Sequence, residues 1–252
     1  HYPSRNFPGL SEIVRTFKAA HPQPIEDACF GIAGPVREGR VETPNLPWVV
    51  EASVLATQLG LPRVTLLNDL EANAWGVFTL QDGDWETLAP GIPARDGNAA
   101  IISAGTGLGE AGYHGAVSSL HPFASEGGHA DFAPHDELTI ELFRWLHRRH
   151  GHVSWERVVS GPGLVNIFTF LRDVKHRAES AALAEAMREG DPASAISKAA
   201  LDETSELAVA ALDLFVALYG AEAGNLALKM KATRGVWIGG GIAPKILARL
   251  TR

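Results

Sequence analysis

The chain has 252 residues, of which 46% are hydrophobic and 20% charged, and its net charge is -7. That length is enough for one large hydrophobic core or two modest ones. The acidic balance and the lack of a Lys/Arg block exclude the usual footprint of a nucleic-acid-binding surface. A single cysteine, Cys29, excludes an intrachain disulfide and fits a cytoplasmic setting; within Ala28-Cys29-Phe30-Gly31-Ile32 it reads as a buried structural thiol.

In chain order, helical spacing covers residues 7–20 behind a candidate cap at Ser11, and a strand follows over 28–32 before Gly34-Pro35. A short strand over 36–41 holds a turn at Arg37-Glu38-Gly39, and a helix is predicted over 51–59. The β-rich run 63–67 delivers Asn68-Asp69 to its end, ahead of a helix over 70–78. Alternation of this kind predicts an α/β sheet with a parallel component, in which ligands gather beyond the carboxyl ends of strands. Residues 81–98, rich in Gly, Pro and Asp, read as a connection between two lobes.

A second α/β pattern begins with the strand 99–103. A long helical region spans about 135–230, broken at 151–154, 160–163 and 190–192, and a strand over 235–238 runs into Gly239-Gly240-Gly241 before a helix near Pro244. There is no signal peptide pattern and no uninterrupted apolar run of bilayer length, so no membrane partner is expected; the nearest candidate, 207–221, is broken by Asp213 and reads as a buried helix. The chain opens on His1 and closes on Thr251-Arg252 just inside a predicted helix, so both ends are expected to have been cut from something longer.

The glycines at 107, 109 and 112 spell G-x-G-x-x-G, which in a dinucleotide site needs a helix opening at the second glycine. The residues after Gly112 suit a strand instead. A hairpin of 99–103 with 110–117, looped at 105–109, is therefore predicted, and its backbone N–H groups can still face phosphate oxygens. His114, His121, Glu126, His129, Asp131 and His135 crowd one region, but their spacing fits no H-E-x-x-H motif. Glu126-Gly127-Gly128-His129 sets a carboxylate and an imidazole beside two glycines, chemistry suited to sugar hydroxyls. Asp69 reads either as a helix cap or as a carboxylate able to take a hydroxyl proton during phosphoryl transfer. Glu156 alone would pass for a solvated charge, and Gly239–Gly241 for either a plain turn or a surface for a nucleotide base.

Taken together, Gly31-Ile32-Ala33-Gly34-Pro35, Thr43-Pro44-Asn45-Leu46-Pro47-Trp48, Leu67-Asn68-Asp69, Gly105-Thr106-Gly107-Leu108-Gly109, the string from Glu126 to Pro134, the string from Glu156 to Leu164 and Trp237-Ile238-Gly239-Gly240-Gly241-Ile242 closely resemble, in order and spacing, the bacterial glucokinase family, zinc-free and ATP-dependent. The resemblance implies an α/β, two-domain actin-like/hexokinase-like ATPase fold of ribonuclease H-like build, with a small domain over 1–79 and a large one over 80–252. It implies transfer of the ATP γ-phosphoryl group to the glucose 6-hydroxyl, with Mg2+ as cofactor and a homodimer possible. By resemblance, Asp69 is the general base. Asn68, Asp69, Gly107, Glu126, His129 and Glu156 bind the sugar, Gly105, Thr106 and Gly107 the phosphates, and Gly239, Gly240 and Gly241 the adenosine.

One departure stands out. The family's opening D-x-G-G-T hairpin and its C-terminal return have no counterpart among these residues, so terminal elements of the small domain are expected to be missing. The rival readings are a catalytically inactive sugar-binding module and, from Gly107, Gly109 and Gly112, an NAD-dependent oxidoreductase.

Overall fold

The computed structural model describes residues 1–43, 46–94, 96–115 and 120–251. Pro44 and Asn45 of the predicted motif, the strand end at Ala116-Val117 with Ser118-Ser119 beyond it, and Arg252 lie outside the described residues. The chain forms two compact units, His1–Asp82 and Gly83–Arg252.

In the first unit, helix α1 covers Leu10–Ala20, strand β1 Asp27–Ile32, β2 Arg40–Glu42, β3 Val49–Glu51, helix α2 Ala52–Leu59, β4 Arg63–Asn68 and helix α3 Asp69–Gly76. Strands β1 and β4 run parallel, with Ile32 opposite Asn68, while β2 and β3 pair antiparallel. Gly31 leaves room for α3, because a Cβ there would stand 2.8 Å from the Ala72 Cβ. Val14, Val41, Trp48, Val50, Leu55 and Leu66 belong to the core of this unit.

Four expectations change here. Gly9, not Ser11, stands at the cap position of α1; Ser11 lies inside the helix and donates to Glu12 at 2.9 Å. Instead of a strand over 36–41, Arg37 and Arg40 close a tight turn with Glu38 and Gly39 at positive φ, and the strand proper starts at Arg40. Strand β3 was not expected, since three residues are too few to display an alternation. Cys29 is exposed, because β1 alternates exposed and half-buried positions and the thiol falls on the open face.

The second unit holds β5 (Ala99–Ala104), β6 (Leu108–His114), β7 (His121–Ser125), α4 (Glu137–His150), α5 (Gly161–Asp173), α6 (Ala181–Glu189), α7 (Pro192–Leu201), α8 (Glu206–Met230), β8 (Gly235–Gly239) and α9 (Leu247–Leu250). The sheet order is β7-β6-β5-β8, antiparallel except for the parallel β5–β8 pair. Each of the five helices α4 to α8 begins on a side-chain cap, from Asp136, Ser160, Ser180, Asp191 and Ser205 in turn, which is how one apolar region becomes separate helices. Near Pro244 the chain makes a 3-10 turn before the short α9.

Strand β7 escaped the pattern because Pro122 lies within it. Proline is tolerated there because β7 is a sheet edge. Helix α8 is long and apolar enough, by length and composition alone, to cross a membrane. Within this unit it is a central core element: Leu212, Phe215 and Leu218 are fully buried with Ile102, Ile167 and Phe168.

Candidate active site

In the first unit the end of β4 carries the predicted pair. Asn68 caps α3, its Oδ1 accepting from the N–H groups of Leu70 at 2.9 Å and Glu71 at 3.3 Å, while its Nδ2 donates to the Gly34 carbonyl at 3.1 Å. The capping role therefore falls to Asn68. Asp69 is the first residue of the helix and is exposed, with Oδ1 2.9 Å from the Leu70 N–H.

In the second unit the β5–β6 hairpin replaces any dinucleotide-binding helix. Strand β6 continues through Gly109 and Gly112, so the loop is only residues 105–107. The Gly105 N–H donates to the Gly107 carbonyl at 2.8 Å, which leaves Thr106 exposed at the tip. The Gly105 carbonyl also accepts from the Gly161 N–H at 2.8 Å, tying the loop to the start of α5.

The Glu126–His129 segment leaves β7 as a 3-10 turn, with the His129 N–H donating to the Glu126 carbonyl at 3.0 Å. Gly128 presses on the Leu108 carbonyl so closely that a Cβ would collide with it. Glu126 Oε2 and His129 Nε2 are 3.9 Å apart, too far for a direct hydrogen bond. With side chains 58% and 62% exposed, both are open to a ligand.

The chain then returns alongside a second turn, Trp155–Arg157: Phe132 N–H donates to Val153 O at 2.9 Å and Trp155 N–H to Ala130 O at 3.0 Å. Glu156, on that turn, accepts from the Leu108 N–H at 3.0 Å through Oε2, and a side chain at Gly107 would run into the same oxygen. Ser160 holds the arrangement from below, donating to the Glu156 carbonyl at 2.7 Å and accepting from the Gly163 N–H at 3.0 Å. Gly107, Glu126, His129 and Glu156 thus come together on neighbouring turns of one unit.

Gly239–Gly241 lies on the other side of β5. Gly240, at φ 84°, packs against the Ala104 backbone so tightly that any Cβ would collide, and the Ile242 N–H donates to Ala104 O at 3.3 Å. The Tyr219 hydroxyl accepts from the Ala104 N–H at 3.1 Å and shares its proton between Gly239 O at 3.2 Å and Ile102 O at 3.4 Å. Burial pushes that hydroxyl up to about 12, so it keeps its proton. The glycine turn and the Gly105–Gly107 loop therefore leave adjacent strands side by side.

Sequence reading missed Glu110 and Glu222. Glu110 lies behind the Glu126–His129 turn, buried on β6, and its carboxyl is pushed up from an ordinary 4.5 to about 7, first by burial and then by the Glu222 carboxylate, with Lys229 partly opposing. The available signal was a Glu within the otherwise apolar and glycine run 108–113, and another deep inside the apolar α8.

A sheet with glycine turns at its strand ends, backed by capped helices and carrying clustered carboxylates, defines an α/β sugar kinase of the actin-like ATPase fold. The glucokinase family model matches residues 1–252. A glucokinase from a Nostoc species is 44% identical over 261 residues, covering 98% of this chain and 76% of its own length. Among solved structures, a glucokinase from an Antarctic psychrotroph superposes with a TM-score of 0.81 at 30% identity, covering 99% of this chain and 75% of its own. A Balamuthia mandrillaris glucokinase in complex with glucose shares the fold, with a TM-score of 0.72 at 20% identity over 95% of this chain and 72% of its own. The chain belongs to the glucokinase family, whose reaction is ATP-dependent phosphorylation of glucose.

Proposed function

We propose that this glucokinase uses Gly107, Glu126, His129 and Glu156 as sugar ligands, and that Asn68 and Asp69 are sugar ligands as well. Glu126 and Glu156 accept hydrogen bonds from sugar hydroxyls, and His129 pairs with a hydroxyl through its imidazole. Asn68, engaged as a cap, keeps one amide N–H for the ligand. Asp69 takes the proton of the 6-hydroxyl as that oxygen bonds to the γ-phosphorus of ATP and the bond to the bridging oxygen of ADP breaks. Gly105, Thr106 and Gly107 offer backbone N–H groups to phosphate oxygens, and Gly239, Gly240 and Gly241 form a side-chain-free surface for adenosine.

The observation that carries this reading is the 3.0 Å bond from the Leu108 N–H to Glu156. It fastens a carboxylate from one sugar-kinase motif to the loop of another, so two segments distant in sequence serve one ligand.

The proposal extends to domains of ribonuclease H-like build over 1–79 and 80–252, a cytoplasmic setting, a possible homodimer, and Mg2+. Among the described residues no three His, Cys, Asp or Glu side chains converge into a cation cage. The ion would come with the ATP phosphates, held mainly by phosphate oxygens and water.

Calorimetric titration of glucose tests the ligand assignment. Glu126→Gln removes the charge from a charge-assisted hydrogen bond, an interaction of about 1.5–3 kcal/mol, so affinity falls roughly tenfold to a hundredfold. Unchanged affinity would remove Glu126 from the site.

A further inference from the structure

Behind the turn that carries Glu126 and His129 lies a pair of carboxyls that sugar binding and phosphoryl transfer leave unused. Glu110, on β6, is 1% exposed and Glu222, on α8, is 0% exposed. Glu222 is well served: Lys229 Nζ donates to Oε1 at 2.7 Å and Asn225 Nδ2 to Oε2 at 2.9 Å. Glu110 is not, for among the described residues neither of its oxygens has a hydrogen-bond partner. A buried carboxylate without donors is far costlier than the neutral acid, and the neutral acid carries an O–H for which Glu222 supplies an acceptor.

The other side of the Glu110 carboxyl meets the turn. A side chain at Gly127 would collide with its Oε2, and the Gly127 N–H is meanwhile held by Ser125 Oγ at 3.0 Å. The groups that face Glu110 are thus Glu222 and Lys229 from α8, the Ser125 hydroxyl from β7 and the Gly127 backbone from the turn.

We infer that Glu110 is a positioning residue for the sugar-binding turn: held as a neutral acid that donates its proton to the Glu222 carboxylate, it forms the floor on which Gly127 rests and so fixes where Glu126 and His129 meet the sugar. This rests on the assignment of Glu126 and His129 as sugar ligands. Once the proton leaves, two buried carboxylates repel each other, the floor shifts and the sugar is held less well. Burial and Glu222 bring that loss to about 7, so the fully assembled turn belongs to the acidic side of neutrality.

The test is the pH dependence of glucose KM and kcat in the intact enzyme. Between about pH 6 and about pH 8.5 the glucose KM rises roughly fivefold or more while kcat changes much less. Glu110→Gln, whose amide still donates to Glu222 but has no proton to lose, flattens that rise. A steric arm is independent of pH: Gly127→Ala loses glucose affinity, and adding Glu110→Ala restores part of it by making room. A Glu110→Gln enzyme with the parental KM profile, or an Ala at 127 whose damage is not relieved by Glu110→Ala, overturns the inference. Should Glu110→Gln not fold, the steric pair carries the comparison. Glu126→Gln separates this from the reading beneath it: unchanged glucose affinity there sinks the ligand assignment, whereas weakened affinity with a parental Glu110→Gln profile sinks only the role of Glu110.

Discussion

Asp69 belongs to a unit whose core side chains Val14, Trp48 and Val64 each stay 8% exposed, whereas Glu126, His129 and Glu156 stand on a unit in which Leu142, Phe168 and Phe215 are wholly buried. The small unit has two separate two-stranded sheets; the large one has a four-stranded sheet with α8 against β5, β6 and β8. Holding several hydroxyls at once requires several atoms fixed together, and a deep core supplies that. Accepting one proton requires one carboxylate, and a helix start suffices. On the proposed assignment, the contrast separates recognition, backed mainly by the deep core of the large unit, from proton transfer, which is local.

The strongest way to break that contrast is Asp69→Asn. Turnover should fall by about 10²–10⁴-fold, far more than any accompanying loss of glucose affinity, measured as kcat beside a calorimetric Kd. Near-normal turnover would remove Asp69 as the base. Next in size, Phe215→Ala should cost about 3–5 kcal/mol in urea unfolding. Val41→Ala in the small unit, losing only two methyl groups, should cost about 2 kcal/mol. Smallest is Ser160→Ala, which removes the cap of α5 for about 1 kcal/mol. Because Ser160 also holds the Glu156 carbonyl, glucose affinity should fall modestly in the same variant, whereas a loss of stability alone would unlink the cap from the ligand.

The sequence was most readable where backbone need and residue type coincide. Gly107, Gly128 and Gly240 all stand where a side chain would collide, and all three lie in motifs visible in the sequence. The β5–β6 hairpin was legible as well, because the residues after Gly112 favour a strand and a dinucleotide site needs a helix there. What escaped depended on partners far along the chain. Pro122 fits within a strand only because β7 is a sheet edge, and Ser11 looked like a cap although Gly9 holds the cap position. Glu110 and Glu222 acquire meaning only once β6 and α8 are packed together, which neither local pattern specifies.

The Tyr219 hydroxyl lies where β5 and β8 end, bonded to backbone on both strands and just before each releases its glycine turn. Together with the β5–β8 ladder and the Ile242 N–H bond to Ala104, this one oxygen helps fix the spacing between the two turns that flank a nucleotide on the proposed reading. Discrimination among nucleotides by length from base to phosphate would then be a property of that fixed interval, written into the core by a residue that never touches the nucleotide.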